Sequence, residues 1–410
     1  MSVDRTQCDV WDLQDPLAPI RERFVIPAGV NYLDGNSLGC LPRAVAARLQ
    51  QVVLQEWGNG LIRSWNDAGW YRAPQRVGNM IARLVGAPEG SVIVADSTSV
   101  NLFKVLAAAL ALKPGRRRIL GVAGDFPTNT YIAGGIAKWL DAEYVGVESA
   151  ALVDAIDESV AIVSLTHVNY RTGEMFDMEG ITRAAHARGA LVVWDLSHSA
   201  GVIDLQLENS SADFAIGCGY KYLNGGPGAP AYVYINRRHQ DAFRHPLSGW
   251  LGHANPFEFA EVFSPAPGVD GALAGTPPIL SLVALEAALG VFDGVVMADV
   301  RRKSQQLTDV FIRLIDEQLG TFGFQIASPR DSNNRGSQVS LSHDESHAIC
   351  QAMIGQGVIG DFRAPDILRF GFSPLTTRFV DVHDAAMTLK RVMGAGLWDV
   401  PEYKARKAVT

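Results

Sequence analysis

Short apolar runs alternate with longer amphipathic stretches through most of this chain. Runs at 91–95, 118–123, 144–147, 160–165, 191–194, 214–217 and 231–235 are rich in Val, Ile and Tyr. They are too short for helices and predict strands. Between them, Pro42 opens a helix reaching about Trp57, with its missing N–H at a position where none is needed. Val77, Met80, Ile81 and Leu84 mark a helix over 74–85 that Gly86 stops. Further helices run from the polar turn at Asp96 to Lys113, from the turn at Phe126 to Asp141, and over 178–188. Strands alternating with helices predict an α/β fold, a mostly parallel sheet with helices on both faces.

The alternation ends near residue 240. Residues 240–278 are irregular and rich in Gly and Pro, and a loop that long inside a compact domain is usually functional. A helical stretch from Ile279 breaks at Asp293-Gly294 and resumes to about Gln318. Strands at 322–327, 337–342 and 367–372, with helices at 346–356 and 382–393, describe a smaller α+β domain. The expected division is an N-terminal arm over 1–45, a large domain over 46–290 and a small domain over 291–410. Residues 1–40 show little regular pattern, and the tail from Tyr403 is expected to fray. There is no internal repeat, and no Gly-x-Gly-x-x-Gly follows a strand, which disfavours a dinucleotide fold.

Composition narrows the partners. The 410 residues are 48% hydrophobic and 19% charged, excluding a disordered chain, and the net charge of −7 argues against nucleic acid or an anionic membrane. Cys8, Cys40, Cys218 and Cys350 lack metal-ligand spacing and suggest a reducing compartment. No apolar stretch is long enough for a membrane span, and the polar N-terminus is unlike a signal peptide. A soluble cytoplasmic protein without a metal site is the expectation.

Candidate chemistry centres on Lys221, between Tyr220 and Tyr222 and just before a glycine turn. A lysine of ordinary pKa, about 10.4, is a neutral nucleophile only about once in 2,500 molecules at pH 7. An apolar, tyrosine-lined corner raises that fraction. Alone, Lys221 reads more readily as a strand-end lysine reaching into solvent. Upstream, the strand at 191–194 ends in Asp195, with His198 and Ser199 just beyond. Ligands of open α/β sheets bind beyond the carboxyl ends of strands. A reactive lysine and a carboxylate there are what pyridoxal phosphate needs, one for the Schiff base and one for the ring nitrogen. Asp195 would otherwise be a helix cap. Strand, Ser97-Thr98-Ser99 and helix start together form a phosphate site, or simple capping by Ser97 or Thr98.

Six stretches in order carry a resemblance: Leu33-Asp-Gly-Asn-Ser-Leu-Gly39, Thr98-Ser-Val-Asn-Leu102, Phe126-Pro-Thr, Asp195-Leu-Ser-His198, Tyr220-Lys-Tyr-Leu-Asn224 and Gly249-Trp-Leu-Gly-His253. Over roughly 33–372 the chain resembles the kynureninases, fold-type I pyridoxal-phosphate enzymes of the aspartate aminotransferase superfamily. The resemblance implies hydrolysis of L-kynurenine to anthranilate and L-alanine, in tryptophan catabolism by the kynurenine route, with 3-hydroxykynurenine a further substrate. It implies a homodimer with shared active sites. Lys221 would hold the cofactor and move protons, Asp195 would pair with the ring nitrogen, and Tyr220 would donate or relay a proton. Thr98, Ser99, Phe126, Pro127, Thr128, Asn129, Thr166, His198, Trp250 and Thr276 would complete the cofactor site, Trp250 and Thr276 from across the dimer interface. Arg369 would fork onto the substrate carboxylate, and Asn36, Ser37 and Trp65 would face its aromatic end. Without the resemblance, Arg369 reads as an ion-pair arginine, and Phe126 and Trp65 as packing.

One position departs from the resemblance: Phe126-Pro-Thr-Asn129 ends in asparagine where these enzymes usually carry aspartate. The rival reading, a cysteine desulfurase or selenocysteine lyase, needs a cysteine on a mobile loop, and Cys350 falls within a predicted helix. A pyridoxal-phosphate-binding regulator would need a DNA-binding domain, which the turn-rich first 40 residues do not supply.

Overall fold

The computed structural model describes residues 3–406. Its large sheet uses seven strands: β1 (Val92–Val94), β2 (Arg118–Val122), β3 (Glu143–Val147), β4 (Val160–Thr166), β5 (Leu191–Asp195), β6 (Phe214–Gly217) and β7 (Tyr232–Ile235). Their order is β1-β7-β6-β5-β4-β2-β3. All neighbours are parallel except β7, which runs antiparallel to both β6 and β1.

The two-residue period of a strand sends alternate side chains to opposite faces. Val92 and Val94 join the core on one side of the sheet, with Val77 and Ile81 of helix α3 (Ala73–Leu84) and Ile181 of α6 (Met178–Ala187). Ile93, between them, joins the other core, with Leu102 and Val105 of α4 (Thr98–Ala111) and Ile136 of α5 (Pro127–Trp139). The sheet is therefore covered on both faces, as the alternation predicts.

The small domain is a four-stranded antiparallel sheet in the order β8 (Gln325–Ile326), β9 (Gln338–Ser342), β11 (Ile367–Gly371), β10 (Asp361–Arg363). It follows α7 (Ile279–Leu289) in the chain and packs against α8 (Met297–Leu319), α9 (Ser346–Gly355) and α10 (Phe379–Gly394). The strand expected over 322–327 shrinks to two residues, and β10 was not anticipated because it is only three residues long.

The N-terminal arm is more ordered than its pattern suggests. Helix α1 (Arg5–Gln14) buries only Cys8 along its own length. The Asp4 side chain caps it by accepting from Gln7 N, and Trp11 meets Phe379 edge to face. Asp12 in turn accepts from the N–H groups of Phe379 and Val380, at the start of α10. Farther on, Asn31–Tyr32 pairs with Val358–Ile359, and Gly39 N donates to Tyr220 O at 2.9 Å. The arm thus ties the small domain to the Lys221 loop.

Helix α2 (Arg43–Gln51) ends earlier than expected and passes into a π-helical stretch, Val52–Gly60. Residues 240–278 form only short 3₁₀ turns, anchored where the buried Lys104 amine donates to Ala272 O at 2.8 Å while pairing with Asp96. The fraying expected from Tyr403 fails for Tyr403 and Lys404, which end a short helix, Pro401–Lys404, packed on α9; residues 407–410 lie outside the described residues. No single helix among the described residues is long and apolar enough to cross a membrane.

Candidate active site

A cavity of about 250 Å³ opens at the carboxyl ends of β4, β5 and β6. Sheet register sets its floor: Thr166, the last residue of β4, lies beside Asp195, the last of β5. Opposite, the loop carrying Lys221 closes on itself through Gly225 N to Gly219 O at 2.9 Å and Asn224 N to Lys221 O at 2.8 Å. Asn224 has φ +59°, a left-handed turn that asparagine tolerates better than most residues. Thr98, Ser99, Phe126, Thr128, Asn129, Thr166, Asp195, His198, Tyr220 and Lys221 all line the cavity. Ser97, Tyr170 and Ser197 line it as well, beyond the sequence expectation.

Lys221 stands apart among the inward lysines. Lys104 pairs with Asp96, and Lys303 with Asp15 at 2.6 Å. Lys221 has no ion-pair partner among the described residues, and its amine lies over the Tyr220 ring, 5.9 Å from the centroid. Burial pushes its amine below the ordinary lysine value, with Arg369 and Arg363 pushing the same way against Cys218 and Asp195. The result is an amine more easily neutral near pH 7.

Asp195 is held in place by three donors. Its Oδ1 accepts from Ser197 N at 2.9 Å and Ser197 Oγ at 2.6 Å, and its Oδ2 from Asn129 Nδ2 at 3.1 Å. The Asn129 side chain therefore reaches into the site; no side chain caps α5. At the start of α4, Ser97 takes the capping role by accepting from Val100 N, which leaves Thr98 and Ser99 facing the cavity. His198 is buried, and burial, then Lys221 and Arg369, hold it well below the usual histidine value. Its Nδ1 lies 3.2 Å from Gln338 Oε1, an acceptor, so the neutral ring carries its proton there. Burial, then Cys218 and Asp195, raises the Tyr220 phenol, so it stays protonated.

Beside the cavity lies a buried charge cluster. Arg369 is 1% exposed, and its Nε donates to Asp361 Oδ1 at 2.8 Å, with Nη2 on the other carboxylate oxygen. Nη2 also reaches Ser37 Oγ at 3.0 Å, and Nη1 reaches Tyr170 O at 2.6 Å. The fork thus grips Asp361 here, leaving the second Nη1 hydrogen for another acceptor. Arg363 pairs with the same carboxylate at 2.6 Å. Asn36 is buried against this group; with its amide oxygen toward Arg369 Nε the separation is 2.9 Å. Burial and the neighbouring Asp361 raise the Asp34 carboxyl, favouring its neutral form. Two guanidiniums then face one full carboxylate, and the cluster carries net positive charge.

Other predicted residues sit elsewhere. Pro127 begins α5 without lining the cavity. Trp65 packs edge to face on Trp70, 6.1 Å between centroids, in a small cluster with Val52 and Val283. Trp250 lies against Phe257 and is partly exposed, and Thr276 is exposed; neither lines this cavity. Asp34, Asp361, Arg363 and Asp125 were missed. Only β10 brings Asp361 and Arg363 beside Arg369, and three residues give too little alternation to read as a strand.

Comparison with known proteins gives the family. Residues 300–389 match the family described as "Kynureninase C-terminal domain". A kynureninase of Burkholderia pseudomallei (strain 1106a) is 50% identical over 413 residues, covering 99% of each chain. One from Pseudomonas fluorescens is 48% identical over the same span, also 99% of each. Among solved structures, a cysteine desulfurase of Thermococcus onnurineus NA1 matches with TM-score 0.79 at 16% identity, over 96% of this chain and all of that one. A C-DES variant with glycine covalently linked to its PLP cofactor matches with TM-score 0.78 at 17% identity, over 90% and 98% of the two chains. Such distant structures share the fold; identity near one half over the full length carries more, and the chain belongs to the kynureninase family.

Proposed function

We propose that this protein is a pyridoxal-phosphate-dependent hydrolase that converts L-kynurenine and water to anthranilate and L-alanine, accepting 3-hydroxykynurenine by the same contacts. The observation that carries it is the pairing, in one cavity, of an unpartnered lysine with a fixed strand-end carboxylate, beside the buried Arg369. The donor set suits the cofactor. Lys221 offers the amine, Asp195 an anion for the ring nitrogen, Phe126 a flat face, and Thr98 and Ser99 donors at the first turn of α4, where the helix dipole favours a phosphate. When bound, pyridoxal phosphate supplies an electron sink for negative charge developing at Cα and Cβ of the amino acid.

The chain's own groups then have defined tasks. The net positive cluster of Arg363, Arg369 and Asp361 receives the substrate α-carboxylate, using the free Nη1 hydrogen. Lys221, its amine lowered by burial, takes the Cα proton and returns it. Water adds to the γ-carbonyl carbon, the Cβ–Cγ bond breaks, and the γ-carbon leaves as the carboxylate of anthranilate. Cβ gains a proton, and Tyr220, protonated and beside Lys221, is placed to donate it. His198 stays neutral, so it donates a hydrogen bond without adding charge.

The active unit is a homodimer whose sites are shared, acting in the cytoplasm. Support comes from exposed apolar side chains, including Trp250, Phe257, Phe259, Leu61 and Ile62. Four free cysteines suit a reducing compartment. Desulfurase chemistry is disfavoured because Cys350 is buried within α9, where burial pushes its thiol far up. Product analysis tests the reading. One anthranilate and one alanine should appear per kynurenine consumed, and sulfide release from L-cysteine without kynurenine cleavage would refute it.

A further inference from the structure

We propose that Asp125 is a positioning residue for the cofactor's ring nitrogen, a second carboxylate acting from behind Asp195 through Asn129 and Thr166. This rests on the reading of the cavity as a pyridoxal-phosphate site. Asp125 follows β2 and is 6% exposed, with Oδ1 accepting from Phe126 N at 2.6 Å and Oδ2 from Thr166 N at 3.2 Å. Thr166 is in register with Asp195, and Asn129 donates to Asp195 Oδ2 at 3.1 Å. Both intermediaries line the cavity, and Asp125 stands behind them.

Two buried carboxylates so placed repel one another unless one is protonated or a cation shares their site. Neither Asp125 nor Asp195 forms an ion pair with a side chain among the described residues. Burial, with the field of Asp195, raises the Asp125 carboxyl to about 7, as expected of an acid awaiting a cation. A protonated ring nitrogen at Asp195 supplies that positive charge. The sequence departure then has a physical account. Position 129 carries an amide in place of the usual acid, and the negative charge sits four residues earlier, at the other end of the same turn. The amide donates to Asp195 and holds it oriented, while Asp125 contributes field.

The test compares the wild-type apoenzyme with Asp125→Asn, Asn129→Asp and the double exchange D125N/N129D. Each is titrated with pyridoxal 5′-phosphate by quenching of tryptophan fluorescence, and the melting of each apo form is recorded. D125N should weaken cofactor binding about tenfold, the scale of one pKa unit. The double exchange, which returns an acid to position 129, should recover affinity to within about threefold of wild type. D125N binding as tightly as wild type, or a double exchange no tighter than D125N, overturns the proposal. If D125N fails to fold, the double exchange alone decides: recovered affinity supports the proposal. A double exchange that is itself unfolded assigns Asp125 to the scaffold and also overturns it. A wild-type apoenzyme that does not bind the cofactor would instead sink the reading of the cavity.

Discussion

Gly39 offers a steric probe of how the N-terminal arm builds the site. Its N–H holds Tyr220 O, and its φ is not in the left-handed region, so alanine costs nothing in backbone conformation. A Cβ there would lie 2.8 Å from Asn224 Cα and closer still to Lys221 O, against an ordinary contact of 3.4 Å or more. The obstacles are largely backbone, so the arm or the Lys221 loop must move by roughly 1 Å, and misplacement on that scale costs catalysis about 100-fold. Overpacking should also cost about 1–3 kcal/mol of stability. Steady-state kcat for L-kynurenine and thermal melting of Gly39→Ala measure both effects. Gly135→Ala is the control, because nothing lies within 4 Å of its added Cβ in the exposed face of α5. There kcat should stay unchanged and stability rise by up to about 1 kcal/mol. Gly39→Ala with wild-type kcat and melting would refute the claim that the arm fixes the Lys221 loop.

Further outcomes follow from named contacts. Mixing inactive Lys221→Ala with a Thr276→Arg variant inactive at its own sites should restore turnover on subunit exchange; exchange without recovery would count against shared sites. Acidification should weaken the fold in two windows. His167 is buried neutral with its pKa lowered to about 4, chiefly by burial. Its contribution is intact above the unfolded value of about 6.5 and is lost as pH falls from there toward 4. For Asp213, burial alone would raise the carboxyl, but hydrogen bonds from His186, His239 and Arg238 outweigh it and hold it far below its usual range. That contribution is present above about pH 4 and disappears as pH falls further. Urea melts of His167→Gln and Asp213→Asn against pH read the windows separately; a wild-type stability flat from pH 6.5 to 4 would contradict the first. Asp361→Asn breaks a buried pair with Arg369 and should cost about 3–5 kcal/mol, with KM for kynurenine altered. Unchanged stability and KM would remove Asp361 from the substrate end.

The strand-and-helix alternation was legible because most strands of the large sheet are buried on both faces and so read as unbroken apolar runs; the edge strand β3 is the exception. Lys221 and Asp195 were legible because strand ends mark crevices. Helix α1 was not, since it buries one residue of its own and is held by its Asp4 cap and by Asp12, which accepts from the first N–H groups of α10. The antiparallel sense of β7 was hidden because the loop before it is too irregular to reveal its direction. Asp125 and Asp361 escaped notice because single acids in short turns become informative only when folding places them beside another charge. Asparagine at position 129 fits a helix cap or a site group equally in sequence; in the fold its side chain bonds Asp195 and lines the cavity, and no side chain caps α5.

The central claim is that Lys221, in this cavity, drives hydrolysis of kynurenine. Purified wild type and Lys221→Ala, each supplied with pyridoxal 5′-phosphate, are incubated with L-kynurenine while its absorbance and anthranilate fluorescence are followed together. Wild type should lose the first and gain the second in step, and Lys221→Ala should do neither. Full turnover by Lys221→Ala, or no anthranilate from the wild type, would contradict it.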